Sequence, residues 1–297
     1  MLLELALKRP KRLPKFPWPL QLSLAYLAAA KGKGKQADSF NAVETYCTFI
    51  GYSRSGHSLI AALLDAHPNI VMAHEMKAAK YVQYGFDREA LYYLLYQRTK
   101  IRGHSWQRGG GYTYHVPNQW QGDFEEIKVI GDKHGEFNAC YLSSNTKALD
   151  RLRKVVQVPI KLVHVVRNPF DNIATFSIKA AARRQHSDVT TSDIENSIQR
   201  YFRVCKSVMN VKSLVDTADD LDFRHEDLIT SPDDELRALC LWLGVEASPT
   251  YLSDCQAVVF PSPQKRRHKI QWPNGLKQRI QNEMQPFPFL EGYTFEN

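Results

Sequence analysis

Residues Gly51 to Ser58 read GYSRSGHS, and this stretch decides the fold. It differs from the phosphate-binding loop of nucleotide triphosphatases, G-x-x-x-x-G-K-[ST], only in having His57 where that loop has lysine. The β-branched and aromatic run before it, residues 45–52, predicts a short buried strand. The run after it has apolar residues at helical spacing and ends before Pro68. A strand, a glycine-containing turn and a helix direct backbone N–H groups and the positive end of the helix dipole to one place, so the loop predicts an anion site.

Strands and helices alternate along the rest of the chain. Short apolar runs predict strands within residues 70–75, 127–135, 160–166 and 221–228. Helical spacing predicts helices over residues 81–102, 194–215 and 231–245, and a loop followed by a helix after residue 166. This alternation predicts an α/β fold with three layers, in which helices flank a parallel β-sheet.

Composition and charge narrow the class of protein. The 297 residues are 43% apolar and 24% charged, which is typical of a globular protein. The formal charge of +8 favours an anionic partner. The five cysteines are odd in number and scattered, so we expect neither a disulfide framework nor a zinc site. Their pattern favours a reducing compartment, and we expect a cytoplasmic location.

The first 45 residues differ from the remainder. They form a basic N-terminal extension, and residues 46–297 are predicted to form a single domain. The apolar run Leu20 to Ala30 is shorter than the roughly 20 residues that a membrane-spanning helix needs, so no transmembrane segment is expected. A packed or partly disordered arm is the first interpretation, and weak contact with a membrane surface through residues 1–35 stays open as the second.

Two motifs in this chain resemble those of the PAPS-dependent sulfotransferases, whose donor is 3′-phosphoadenosine 5′-phosphosulfate (PAPS). The first, residues 54–59, is RSGHSL and resembles the family pattern [KR]-[ST]-G-[TS]-[TS]-[WL]. The second, residues 167–171, is RNPFD and resembles the family pattern R-[ND]-P-x-D, which a hydroxyl residue follows. Residues 54–75 resemble the tyrosylprotein sulfotransferase branch most closely. The resemblance covers about residues 46–293 and implies a P-loop-like sulfotransferase fold.

The resemblance also implies the residues of the donor site. The implied contacts to the 5′-phosphosulfate are Arg54, Ser55, Gly56, His57, Ser58 and Leu59. The implied contacts to the 3′-phosphate are Arg167, Thr175 and members of the basic group Lys265, Arg266 and Arg267. Leu59 stands where the cytosolic branch has the tryptophan that stacks on adenine, and His225, in the place of a family tyrosine, is the candidate for adenine. PAPS is the implied cofactor, its product is the bisphosphate PAP, and no metal is implied.

Catalytic roles follow from the same resemblance and from the chemistry of an in-line displacement. Arg54 is expected to stabilise charge on the leaving phosphate, and Lys133 to stabilise the transferring sulfuryl group. Glu75 follows the LDAHP motif at the family's spacing and is the expected base, with a pKa raised by burial. His134 and His74 are the alternative bases.

The sequence defines the acceptor of the sulfuryl group less closely than the donor. A segment near residues 81–124 falls where the family inserts an acceptor-binding or lid segment. Its aromatic residues are Tyr81, Tyr84, Tyr92, Tyr93, Tyr96, Trp106, Tyr112, Tyr114 and Trp120. These rings either clasp a flat or cationic small molecule or belong to the core. A small-molecule hydroxyl or amine is the favoured acceptor, and nucleic acid is not predicted. An ATP- and Mg²⁺-dependent kinase and a non-catalytic anion-binding protein are the alternatives.

Overall fold

A five-stranded parallel sheet lies at the centre of the computed structural model, which describes residues 17–32, 34, 36–103, 113–185 and 188–297. The strands are β1 (Thr45–Gly51), β2 (Ile70–His74), β3 (Val129–Lys133), β4 (Ile160–Val166) and β5 (Asp220–Arg224). Their order is β2-β3-β1-β4-β5, and every neighbouring pair is parallel.

The predicted three layers are confirmed, and β1 shows why they form. All seven of its residues are buried. Tyr46 and Ile50 belong to one apolar cluster, while Cys47 and Phe49 belong to the other. Because successive side chains of a strand point to opposite faces, both faces of this sheet must be covered by helices.

Twelve helices flank the sheet in the described part of the chain. They are α1 (Trp18–Gly32), α2 (His57–Asp65), α3 (Ala78–Gln83), α4 (Arg88–Gly103), α5 (Gly135–Ser144), α6 (Lys147–Val156), α7 (Pro169–Arg183), α8 (Thr191–Lys212), α9 (His225–Thr230), α10 (Pro232–Leu243), α11 (Pro249–Gln256) and α12 (Leu276–Met284). None of them is both long and apolar enough to cross a membrane.

Two element predictions need correction. The helix predicted over residues 81–102 is two helices, because Gly85 has a φ of 84° between α3 and α4. The strand-like run 221–228 is strand only as far as Arg224, and α9 begins at His225. The loop and helix predicted after residue 166 are confirmed: Arg167 and Asn168 lie between β4 and α7, and the side chain of Asn168 caps α7 by accepting a hydrogen bond from the N–H of Phe170 at 3.0 Å.

The N-terminal segment contains one described helix. Ala25, Ala28 and Ala29 of α1 are buried, and a Cβ on Gly32 would lie 2.0 Å from the Tyr93 ring, so α1 packs closely on α4. The basic residues at positions 8–15 lie outside the described residues, as do Trp106 and Tyr112 of the predicted acceptor segment. The boundary at residue 45 and the cytoplasmic location stay predictions.

The sheet order also places the site. From β1 the chain crosses to β2 and returns to β3, and it then passes to the opposite side of β1 to form β4. The carboxyl ends of β3, β1 and β4 therefore flank a reversal of strand order, which is where open α/β sheets bind ligands.

Candidate functional site

Loops at the carboxyl ends of the strands enclose a cleft of about 1200 Å³. Thirteen of the sixteen site residues predicted from the sequence line it. They are Arg54, Gly56, His57, Ser58, Leu59, His74, Glu75, Lys133, His134, Arg167, Thr175, His225 and Arg266. Ser55, Lys265 and Arg267 do not line it.

The donor loop is a tight turn between β1 and α2. Arg54 has a φ of 76° and Gly56 a φ of 104°, both in the left-handed region. Ser55 is fully buried, and its hydroxyl donates a hydrogen bond to the carbonyl of Tyr52 at 2.9 Å. Ser55 therefore holds the loop in shape from inside, while Arg54 and Gly56 face the cleft.

His57 explains the departure from the triphosphatase pattern. Its ring turns beneath the loop, where Nε2–H donates to the carbonyl of Ile50 at 3.2 Å and Nδ1 lies 3.2 Å from Ser55 Oγ. Burial, together with the nearby charge of Lys133, lowers the pKa of His57 to about 3. The imidazole is therefore neutral near pH 7 and cannot replace the phosphate-binding lysine as a cation.

Lys133 lies at the centre of the cleft. Its Nζ is 3.3 Å from Ser58 Oγ, 3.2 Å from His74 Nε2 and 3.5 Å from Glu75 Oε1. The parallel register of β2 and β3 sets His74 beside Lys133, and this brings the end of β2 next to the donor loop. The Lys133 side chain is 4% exposed, and its ammonium group contacts both elements, so it links the predicted base to the predicted anion site.

Glu75 is held by a strained turn after β2. It has a φ of 54°, and its N–H donates to the carbonyl of Lys133 at 2.9 Å. The buried Asp132 carboxylate accepts hydrogen bonds from the N–H groups of Met76 at 2.8 Å and Ala78 at 3.0 Å. These bonds fix the backbone that carries the Glu75 carboxylate.

The pKa shift predicted for Glu75 is wrong in direction. Burial alone would raise its pKa, but the charges of Lys133, His74 and His134 outweigh burial and lower the pKa to about 2. The side chain is 42% exposed, so its desolvation is incomplete. The carboxylate is therefore ionised at neutral pH and able to accept a proton, although Lys133 weakens its basicity.

The two alternative bases also line the cleft. His74 contacts Lys133, as described above, and His134 directly precedes α5. Burial lowers the pKa of His134, so its imidazole is neutral at pH 7. All three candidates therefore lie in the same cleft, and Glu75 stays the predicted base.

Arg167 forms a second cationic point at the end of β4. Its Nη1 donates to the carbonyl of Arg54 at 3.1 Å, and its Nη2 donates to the carbonyl of Gln264 at 2.5 Å. Burial lowers the pKa of this guanidinium, which stays charged under ordinary conditions. Arg167 thus joins the donor loop to the C-terminal segment across the cleft.

The three residues of the C-terminal basic group, Lys265, Arg266 and Arg267, have different surroundings. Arg266 lines the cleft, whereas Arg267 is 1% exposed and pairs with Asp171 at 3.0 Å. Lys265 is exposed, and its Nζ lies 3.5 Å from the carbonyl of Glu296. Only Arg266 of the three is placed to contact a ligand in the cleft.

The two positions that the resemblance relates to adenine, Leu59 and His225, both line the cleft. Burial and the charge of Arg167 lower the pKa of His225 to about 3, so its ring is neutral.

Most described aromatic residues of the predicted acceptor segment lie outside the cleft. Tyr81, Tyr92 and Tyr96 are core residues, Tyr93 packs against the core, Tyr84 and Trp120 are on the surface, and Tyr114 alone of the described ones lines the cleft.

Sequence reasoning missed three charged residues of the cleft. Lys179 lies one helical turn beyond Thr175 on α7, so its i+4 spacing was a usable signal. Arg200 of α8 makes a bidentate ion pair with Glu136 of α5, at 2.9 and 2.7 Å. Nothing local in the sequence indicates that pair, because its members are 64 positions apart.

Gly56 offers a direct test of the loop. A Cβ at this position would lie 2.3 Å from Nδ1 of His225, and its φ of 104° disfavours any side chain. Gly275 also caps a helix with a positive φ, 81°, but has nothing within 4 Å. We expect Gly56→Ala to lower the free energy of unfolding in urea by about 2–3 kcal/mol, against about 1 kcal/mol for Gly275→Ala. Equal losses would show that the contact with His225 is not close.

Comparison with known proteins identifies a family. The sequence model described as "Sulfotransferase family" matches residues 48–249, more than half of the chain. No curated protein sequence matches.

Several solved structures are similar to this chain. The sulfotransferase domain from the Synechococcus PCC 7002 olefin synthase is 16% identical, with 82% of this chain and 94% of that chain covered and a TM-score of 0.49. The sulfotransferase from Alicyclobacillus acidocaldarius is 15% identical, with coverages of 82% and 93% and a TM-score of 0.48. Mouse sulfotransferase SULT7A1, solved in complex with PAP, is 11% identical, with coverages of 82% and 74% and a TM-score of 0.40.

The family match spans the donor loop, Glu75, Lys133, the Arg167 motif and His225, all of which the fold gathers in one cleft. The chain belongs to the sulfotransferase family.

Proposed function

We propose that this protein transfers a sulfuryl group from PAPS to a hydroxyl or amine of a small-molecule acceptor. The observation that carries the proposal is the position of Lys133 Nζ, which lies within 3.5 Å of Ser58 in the donor loop and of Glu75. The proposed donor loop and the proposed base Glu75 thus both contact the Lys133 ammonium group, in one cleft.

The charges of the cleft suit a donor that has a phosphate at each end. Six cationic residues line it, against the two acids Glu75 and Glu136. The six are Arg54, Lys133, Arg167, Lys179, Arg200 and Arg266. Arg54 and Arg167 are on separate strand–helix loops, so two phosphates can be held at two points. Nδ1 of His225, buried and without a hydrogen-bond partner among the described residues, is compatible with a ligand that brings polar groups.

The residues divide the chemistry as follows. When bound, PAPS supplies an activated sulfuryl group on a phosphate leaving group. Arg54 and Lys133 neutralise negative charge in the cleft, which is the main way to accelerate a transfer of this kind. Glu75 accepts the proton of the acceptor, and Arg167, Thr175 and Arg266 hold the 3′-phosphate. This scheme needs no metal, because side chains provide the positive charge.

A small-molecule acceptor is supported by the size of the cleft. Its volume of about 1200 Å³ exceeds the roughly 300–1,000 Å³ typical of a pocket for one small ligand. A nucleotide and a second small molecule can therefore occupy it together. Phe137 and Tyr114 provide flat apolar surface for the second ligand.

Ligand binding tests the donor assignment. The thermal unfolding midpoint is measured with 3′,5′-adenosine bisphosphate and, separately, with ATP and Mg²⁺. At about 100 times its Kd the bisphosphate should stabilise the fold by about 2.7 kcal/mol and raise the midpoint by several degrees. A shift with ATP and Mg²⁺ alone would overturn the proposal in favour of a kinase, which the neutral His57 opposes.

Glu75→Gln tests the base. We expect kcat to fall by about 10²–10⁴-fold while affinity for the bisphosphate stays within a few-fold of wild type, because the amide keeps the shape but cannot take a proton. Since the pKa of Glu75 is lowered to about 2, its basic form is present throughout pH 5–8, and this residue should impose no acid limb on kcat in that range.

His74→Asn and His134→Asn are measured beside it, with the exposed Glu126→Gln as the control. A larger loss of kcat in either histidine variant, with bisphosphate binding retained, would transfer the role of base to that histidine.

A further inference from the structure

Helix α1 has an unusual composition for a helix on a protein surface. Among its 15 residues, Lys31 is the single charged one, and Gln21 and Ser23 are the other polar side chains. Surface helices normally place charged residues opposite their buried face. A helix that is apolar on all sides is expected to be covered on all sides.

Among the described residues, the domain covers one face of α1. That face consists of the small residues Ala25, Ala28 and Ala29 and ends with Gly32 against the ring of Tyr93. Trp18 also packs there, with its ring centroid 5.5 Å from that of Tyr81. These contacts hold α1 on the domain and determine which face points outward.

The outward face carries large apolar side chains. Four of them, which we call the outer patch, are Leu20, Tyr26, Leu27 and Tyr84, with exposed fractions of 42%, 61%, 49% and 49%. They are four of the seven large apolar side chains exposed in the described part of the chain. Leu22, Ser23 and Phe86 complete a shallow groove of about 440 Å³ among them. Exposed apolar area concentrated in this way marks an interaction surface.

The excess positive charge of the sequence is concentrated in the segment that contains α1. Residues 1–37 hold eight Lys and Arg and one Glu, a net charge of +7. Residues 38–297 hold 31 Lys and Arg and 30 Asp and Glu, a net charge of +1. No acidic residue occurs between Glu4 and Asp38. The segment that contains α1 therefore carries nearly all of the protein's excess positive charge.

We propose that α1 and the basic residues that precede it dock on the surface of an anionic lipid bilayer, with the outer patch at the boundary between headgroups and acyl chains. A bilayer satisfies both features, because acyl chains cover Leu20 and Leu27 while anionic headgroups pair with Lys and Arg. Tyr26 and Tyr84 have the amphipathic rings that are enriched at this depth. A second copy of this chain would bring the same +7 charge to the interface, and nucleic acid offers no apolar layer for the leucines.

Sedimentation with vesicles tests the proposal on the full-length protein. Phosphatidylcholine vesicles are compared with vesicles that contain about 30% phosphatidylserine, at about 0.1 M and 0.5 M NaCl. We expect at least tenfold stronger partitioning onto the anionic vesicles at low salt, and a marked loss at high salt because counterions screen the attraction.

Three variants separate the contribution of the outer patch to vesicle binding from that of the basic residues. Tyr26→Ser with Leu27→Ser removes half of the outer patch, and glutamine at Lys8, Arg9, Lys11, Arg12 and Lys15 removes basic charge. Each is expected to weaken partitioning at least tenfold without changing the thermal midpoint. Leu241→Ser, which removes a 70% exposed leucine on α10, is the control and should change nothing.

Three results would overturn the proposal. One is equal binding to neutral and anionic vesicles. Another is a self-associated protein in equilibrium sedimentation that Tyr26→Ser with Leu27→Ser converts to monomer. The third is tight binding to single-stranded DNA that depends on the five basic residues but not on the outer patch. None of these depends on sulfuryl transfer, so the proposed function stands or falls separately.

Discussion

Replacing Arg54 with alanine is expected to lower kcat/KM for sulfuryl transfer by about 10²–10³-fold, the usual effect of losing one preorganised group that stabilises transition-state charge. Arg54 lines the cleft from a loop whose shape depends on other atoms: the Ser55 hydroxyl bonds to Tyr52, and the Arg54 carbonyl, present in the variant too, accepts from Arg167. The free energy of unfolding should therefore stay within about 1 kcal/mol of wild type.

The experiment measures steady-state kinetics with PAPS and urea unfolding on the same preparations. Arg237→Ala, which removes an exposed arginine from α10, is the matched control and should leave both quantities unchanged. Turnover of Arg54→Ala within a few-fold of wild type would remove this residue from the mechanism. A large loss of stability would mean that the effect on rate is indirect.

The second large effect concerns stability, and two neighbouring arginines supply the comparison. Arg267 is 1% exposed, pairs with Asp171 at 3.0 Å, and donates its backbone N–H to the same carboxylate at 2.8 Å. Arg267→Ala leaves that carboxylate buried without its main partner. Breaking a buried pair in this way is expected to reduce the free energy of unfolding by about 3–5 kcal/mol.

Arg266→Ala is the matched variant, because Arg266 lines the cleft instead of pairing with Asp171. We expect it to weaken bisphosphate binding about tenfold or more and to change the free energy of unfolding by less than about 1 kcal/mol. Urea unfolding and bisphosphate titration of both variants decide the matter. If the two arginines gave the same pair of results, the division of roles between them would be wrong.

Local sequence was sufficient to predict the strand, turn and helix around the donor loop. The stretch at Gly51–Ser58 is contiguous, and its glycine, its β-branched approach and its helical continuation act over a few residues. The same holds for Arg167 and Thr175, which lie eight positions apart on one strand–helix junction. These features are determined by neighbours along the chain, so the pattern alone predicted the α/β class and the anion site at the donor loop, and the resemblance of residues 167–171 to a family motif predicted the second anion-binding point.

Other features could not be predicted from the pattern of residues along the chain. The break at Gly85 and the end of β5 at Arg224 depend on turn geometry that periodicity does not report. The choice between Arg266 and Arg267 was equally hidden, because adjacent arginines differ only in which way the folded backbone directs them. The pair between Glu136 and Arg200 joins α5 to α8 and has no local signature.

The sequence by itself therefore determined the type of fold and the family and predicted the two anion-binding points, because those depend on short stretches of backbone and side chain. Tertiary structure decided the electrostatics. It set His74 and Glu75 against Lys133 through the pairing of β2 with β3, lowered the pKa of Glu75 that burial alone would have raised, and buried His57 as a neutral ring. Charge interactions and desolvation act through space, so they appear only when distant segments of the chain are brought together.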